Sequence, residues 1–117
     1  MVGIILASHG GFAEGIKQSG AMVFGEQPNL AAVTLLPSQG PEDVKRQMEE
    51  AIATFEDPEQ VLFLVDLWGG TPFNQANGLL AGHEATWAIV VHEIHARIPA
   101  ANLNPPMHNI KIMIYIQ

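Results

Sequence analysis

The sequence predicts an α/β fold built on an open parallel sheet of about four strands in the order 2-1-3-4, with helices on both faces. Three observations carry that prediction. Short continuous apolar runs alternate with longer amphipathic stretches, the connections between them are short, and glycine or proline marks nearly every junction. Right-handed crossovers then leave few topologies to choose from. There is no internal repeat or low-complexity segment.

Residues 2–7 (Val-Gly-Ile-Ile-Leu-Ala) form an apolar run stopped at Ser8-His9-Gly10-Gly11, the signature of a buried parallel strand. Phe12 to Phe24 carries apolar residues at Phe12, Ile16, Val23 and Phe24, with Gly25 placed to cap a helix and Gly20 weakening it from inside. Residues 31–36 make a second strand, closed by Pro37. The clearest helix opens at Pro41, where a proline fits the first turn and Glu42-Asp43 suit the positive end of the dipole. Val44, Met48, Ile52 and Phe55 form its apolar stripe, and Asp57-Pro58 stops it. Residues 61–65 (Val-Leu-Phe-Leu-Val) give a third strand with Asp66 at its exit. Thr71-Pro72 reads as an N-cap followed by proline at the first helical position, opening a helix that Gly82 closes. Residues 86–91 give the fourth strand.

The chain of 117 residues is about one domain long, and an apolar fraction of 48% is enough for a real core. The 12 acidic residues against 5 basic ones, net charge −7, argue against nucleic acid, whose phosphates need clustered Lys and Arg. An acidic surface suits a basic protein partner or simple solubility. With no cysteine, disulfides, thiolate zinc sites and cysteine nucleophiles are excluded, as fits a reducing cytoplasm. The apolar opening is too short for a signal peptide and no run reaches membrane-spanning length, so a cytoplasmic protein is expected.

In open parallel sheets, ligands bind beyond the carboxyl ends of the strands, where strand order reverses. With the order 2-1-3-4 that reversal falls between strands 1 and 3, which are the strands that end at His9 and Asp66. Neighbouring strands lie ~4.8 Å apart, so the two side chains are within reach of a hydrogen bond. A histidine carries a phosphoryl group only when neutral with one ring nitrogen free, and a carboxylate on the other nitrogen fixes that tautomer. The oxygens of such a group need donors. Trp68-Gly69-Gly70-Thr71-Pro72, with its glycines, helix start and hydroxyl, offers one set, and Gly10-Gly11 a second. Taken singly, each feature also fits a plain structural role: a turn histidine, a capping aspartate, a tight Gly-Gly turn. The convergence of all of them on one crevice favours a site.

Three stretches resemble the IIA subunit of the mannose family of sugar phosphotransferase systems: Gly3 to Gly15 around Ala7-Ser8-His9-Gly10-Gly11-Phe12, then Phe24-Gly25-Glu26-Gln27, then Val61 to Asn74 around Val65-Asp66-Leu67-Trp68-Gly69-Gly70-Thr71-Pro72. The resemblance covers about residues 1–91, which are expected to form the phosphotransferase domain. It implies that His9 is the phosphorylated histidine and Asp66 its hydrogen-bond partner; no cofactor is expected. It further implies that phosphocarrier protein HPr is the donor and a histidine of the IIB subunit the acceptor, with sugar entering through membrane IIC and IID subunits. It also implies a homodimer with a strand near the C-terminus exchanged between subunits. A non-transferring regulatory or interaction module of the same fold is the alternative.

Residues 92–117 form an atypical tail. His92-Glu93-Ile94-His95-Ala96-Arg97-Ile98-Pro99 interrupts the family pattern, and Asn102-Leu103-Asn104-Pro105-Pro106-Met107 only echoes the family's Gly-x-Asn-Leu-Pro-Met turn. His92 and His95 fit one helix face, and His108 follows, yet no third ligand has metal-site spacing, so no metal is expected. Ile110, Ile112, Ile114 and Ile116 alternate with other residues at the period of a strand, and Pro105-Pro106 supports an extended approach to a sheet edge, a partner's or its own.

Overall fold

The computed structural model describes the backbone of residues 1–96 and 108–115 and the side chains of residues 1–92. In chain order the elements are β1 (Gly3–His9), α1 (Phe12–Phe24), β2 (Leu30–Leu35), α2 (Pro41–Thr54), β3 (Val61–Val65), α3 (Thr71–Leu80), β4 (Trp87–Ala96) and β5 (His108–Tyr115). They form one five-stranded sheet in the order β2-β1-β3-β4-β5, with the first four strands parallel and β5 antiparallel on β4. The expected order 2-1-3-4 is the parallel part of this sheet.

Two registers set the site. Ala7 pairs with Val65 between β1 and β3, and His9 pairs with Leu35 between β1 and β2. One residue past Val65 the chain reaches Asp66, so His9 and Asp66 leave neighbouring strands at the same edge.

The two faces of the sheet differ. Ile5, Ala7, Val61, Phe63, Val65, Ile89 and Val91 join Val44 and Met48 of α2 and Phe73, Ala76 and Leu80 of α3 in the main core. On the other face Leu6 and Ser8 are buried, while Leu62, Leu64, Ala88 and Val90 are only partly so. A continuous apolar run implies burial on both faces. Here the α1 face over β3 and β4 is incompletely covered, since α1 packs on β1 and β2.

Helix α2 follows its stripe: Val44 and Met48 are fully buried, Ile52 packs at the margin, and Phe55 caps the helix inside the core. Helix α1 does not. Its one buried residue is Ala13, whereas Phe12 and Ile16 are 43% exposed and Val23 and Phe24 more than 70%. Apolar residues lie around this helix rather than along one side, so periodicity alone did not say which side meets the sheet. Gly25, at φ +79, caps α1 as expected and donates its N–H to the Ala21 carbonyl.

Two boundaries shift. The cap of α3 is Gly70, not Thr71, which makes Thr71 the first helical residue and Pro72 the second. A proline's fixed φ and missing donor suit either position of the first turn, and the Gly70 carbonyl accepts the Asn74 N–H at 2.9 Å. Strand β4 continues five residues past Val91, because β5 pairs with it from Ile89–Tyr115 to Ala96–His108. The expected tail strand therefore lies on its own β4. His92 and His95 stand in a strand, so helical spacing does not relate them. The metal reading of His95 and His108, and the extended approach through Pro105-Pro106, fall on side chains or residues outside those described. Among the described residues, no helix is long and apolar enough to cross a membrane.

Candidate functional site

His9 is the last residue of β1, and its backbone N–H donates to Asp66 Oδ2 at 2.9 Å. Its ring Nδ1 lies 3.1 Å from the same oxygen and 3.3 Å from Oδ1. An ionised carboxylate only accepts, so Nδ1 is the donor, and in the neutral ring Nε2 then holds the free lone pair. The His9 side chain is 45% exposed and that of Asp66 20%. A half-exposed ring with one nitrogen engaged and one open is arranged to meet an incoming group.

The ring also has a back wall. A Cβ built on Gly70 would stand 3.1 Å from His9 Cε1 and 3.2 Å from Leu67 Cδ2, so glycine leaves the space that the imidazole occupies. Gly69, at φ +77, turns the chain just before it, and Asn74 Nδ2 donates to the Gly69 carbonyl at 3.0 Å, pinning the turn to α3. Gly10, at φ +61, makes the equivalent turn after His9, with its N–H on the Leu35 carbonyl at 2.9 Å.

Of the residues singled out from sequence, His9, Asp66 and Gly70 are thus in direct register. Gly10 and Gly69 shape the two turns beside them. Thr71 opens α3 with its helix N-terminus on the crevice loop. Trp68 is 42% exposed and packs on Phe73, ring centroids 4.5 Å apart.

Two features escaped the sequence. One is the Asp66 bond to the His9 backbone, which no side-chain pattern signals. The other is Ser8, whose buried hydroxyl accepts the Ala13 N–H at 2.7 Å. A lone Ser at the end of an apolar strand was its signal. Beneath the pair, on the α1 face, a largely apolar cleft of about 300 Å³ is bordered by Leu6, Ser8, Phe12, Leu64, Val90 and Asp66.

Fold and pair together define a class: doubly wound parallel α/β proteins whose switch-point crevice presents a carboxylate-oriented histidine. A family model described as "PTS system fructose IIA component" matches residues 3–96. The chain is 37% identical over 81 residues to the fructose-specific EIIA component of Bacillus subtilis, covering 69% of this chain and 56% of that one. It is 36% identical over 83 residues to the sorbose-specific EIIA component of Klebsiella pneumoniae, covering 71% of this chain and 60% of that one. Among solved structures, EIIA from Streptococcus agalactiae superposes with a TM-score of 0.66 at 29% identity, covering 80% of this chain and 68% of that one. A mannose/sorbose-specific IIA subunit from Enterococcus faecalis gives a TM-score of 0.63 at 29% identity, covering 76% and 66%. This chain belongs to that family, the mannose-type IIA components of the sugar phosphotransferase system. It spans six-tenths or less of the length of these curated relatives.

Proposed function

We propose that this chain is a phosphoryl carrier in which His9 accepts phosphate from phospho-HPr and passes it to a histidine of a IIB subunit. Sugar uptake follows through membrane IIC and IID subunits, and the carrier works in the cytoplasm as a homodimer. The observation that supports this most is the hydrogen bond of 3.1 Å between Asp66 and His9 Nδ1, which leaves Nε2 of a half-exposed ring free.

In the first step the Nε2 lone pair forms a bond to phosphorus as the donor's N–P bond breaks, and the donor nitrogen leaves with that electron pair. The proton stays on Nδ1, where the Asp66 carboxylate balances the positive charge that the ring acquires. The second step is the same exchange run towards the IIB histidine. Because little covalent chemistry falls to the protein, its part is orientation and charge stabilisation. Gly10, Trp68, Gly69, Gly70 and Thr71 make up the proposed phosphoryl-binding loops, through the Thr71 hydroxyl and the start of α3, while the Gly10 and Gly70 N–H groups hold the loops in shape on the Leu35 and Leu67 carbonyls.

The test is phosphate transfer from phospho-HPr. Parent protein gains acid-labile phosphate that chases to IIB, and His9→Ala gains none while keeping a cooperative melt, since a half-exposed ring adds little to the core. Labelling of the alanine variant at the parent level would place the carrier histidine elsewhere.

A further inference from the structure

We infer that Ser8 is a positioning residue for His9: its buried hydroxyl ties the His9–Gly11 turn to helix α1 and holds the first turn of that helix at a fixed place beside the ring. The inference rests on the carrier reading above and adds to it a residue that touches neither donor nor acceptor.

Among the described residues, Ser8 is the one polar or charged side chain that is buried, at 1% exposure. Side chains alternate along a strand, so Ser8 faces α1 beside Leu6 while His9 faces the crevice. An apolar side chain there would leave the buried Ala13 N–H without its acceptor, and a buried hydroxyl is itself unfavourable unless partnered. Ser8 is partnered on both sides. It accepts the Ala13 N–H at 2.7 Å, and it donates to the Gly10 carbonyl at 3.5 Å, a longer bond.

The reason lies in how α1 starts. Its cap is Gly11, which has no side chain to accept a first-turn N–H, and no side-chain bond is made from the cap position. The acceptor comes instead from the preceding strand, five residues back, and so closes Ser8 to Ala13 into one small loop with Gly10 at its left-handed corner. Three anchors then flank the reactive ring: Asp66 on the His9 N–H, the Leu35 carbonyl on the Gly10 N–H, and Ser8 on the Ala13 N–H. The first two bind the turn to the sheet. The third binds it to the first turn of α1, beside the helical bond from the Gly15 N–H to the Gly11 carbonyl at 3.0 Å, and the positive end of α1 is the part able to stabilise a phosphoryl group on His9. Without the hydroxyl the Asp66 bonds and the Gly15–Gly11 bond remain, and the helix start loses its one side-chain tie to β1.

Full-length Ser8→Ala and Ser8→Thr, compared with the parent and with phospho-HPr as the donor, test this. In Ser8→Ala the rate of uptake at saturating donor falls about ten- to a hundredfold, as expected for a reacting group misplaced by about an ångström. The half-saturating donor concentration changes little, since no donor contact is lost. Ser8→Thr keeps the hydroxyl, and its extra methyl can enter the bordering cleft. Its rate stays within about threefold of the parent, because a retained hydrogen bond retains the geometry. Amide exchange at Ala13 accelerates in Ser8→Ala and stays slow in Ser8→Thr. If Ser8→Ala does not fold, Ser8→Cys, close in volume but a weak acceptor, takes its place. A parent-like rate in the alanine or cysteine variant, or a loss that threonine shares, overturns the inference. A parent that takes up no phosphate would instead sink the carrier reading. Ala13 exchange and the backbone resonances of Gly10 and Gly11 would then still decide whether Ser8 holds the turn.

Discussion

Asp66 accepts from His9 twice through one oxygen, and the two bonds serve different ends. The bond from the backbone N–H fixes where β1 ends relative to β3. The bond from Nδ1 fixes the ring and its tautomer. An asparagine keeps the shape but can turn an amide donor towards Nδ1, which favours the tautomer with its proton on Nε2. Phosphotransfer by Asp66→Asn is expected to slow by about a hundredfold or more, in line with losses at oriented catalytic histidines. Stopped-flow or quench measurement of transfer from phospho-HPr reads this, and an unchanged rate would show that the pair does not orient the carrier. The contact between His9 and Asp66 was legible in the sequence because both stand at the ends of strands that the topology makes neighbours. The close fit of Gly70 on the ring was not, since a Gly-Gly pair looks the same whether it makes a turn or leaves room for a side chain.

At the scale of elements, helix α2 supplies a stable flank and its start carries a pH dependence. The Asp43 carboxylate accepts the Gly40 N–H at 2.9 Å, and the Asp43 N–H donates to the Gly40 carbonyl at 3.1 Å. That backbone bond, with the neighbouring Arg46 guanidinium at 3.2 Å, holds the Asp43 carboxyl below its ordinary pKa. A lowered folded-state pKa means that the folded protein favours the ionised form. The contribution is complete above the unfolded value of 3.8 and fades as pH falls through the lower folded one. Asp43→Ala should therefore melt at a lower temperature than the parent at pH 7, and the gap should narrow below about pH 4, near the carboxyl's unperturbed value. Thermal melts across that range measure it, and a gap that widens on acidification would reverse the assignment. The sequence announced this helix through Pro41, Glu42-Asp43 and the Val44–Met48–Ile52 stripe, each a local signal. Helix α1 was legible as a helix but not in its packing. The side it offers to the sheet depends on how β1 and β2 carry it, and they bury Ala13 and leave Phe12, Ile16, Val23 and Phe24 at the surface.

Across the whole molecule, the sheet ends in β5, whose outer edge has no strand beside it among the described residues. An alternating apolar strand with an open edge invites pairing with another copy. The antiparallel register that β5 makes on its own β4, from Ile89–Tyr115 to Ala96–His108, is one that a second chain can supply equally well across a two-fold axis. Exchange of this strand in a homodimer is accordingly the proposal for the assembled protein. Deleting residues 109–117 should convert a dimer to a monomer by light scattering or sedimentation. A parent that is already monomeric, or a dimer that survives the deletion, would refute the exchange and leave the His9 site untouched.

Local chemistry in the sequence was enough to determine the alternation of strands and helices, the four parallel strands, the cap at Gly25, the helix start at Pro41, and the His9–Asp66 contact. Each of these follows from side-chain periodicity, from the fixed φ of proline or the freedom of glycine, or from a strand order that few topologies satisfy. Tertiary structure alone decided which face of the sheet stays partly bare, that β4 runs on to Ala96, that Gly70 rather than Thr71 caps α3, and that Ser8 reaches Ala13. Those outcomes depend on what stands across a gap of a few ångströms, and residues that meet there are set by the packing of whole elements, which no short window of sequence contains.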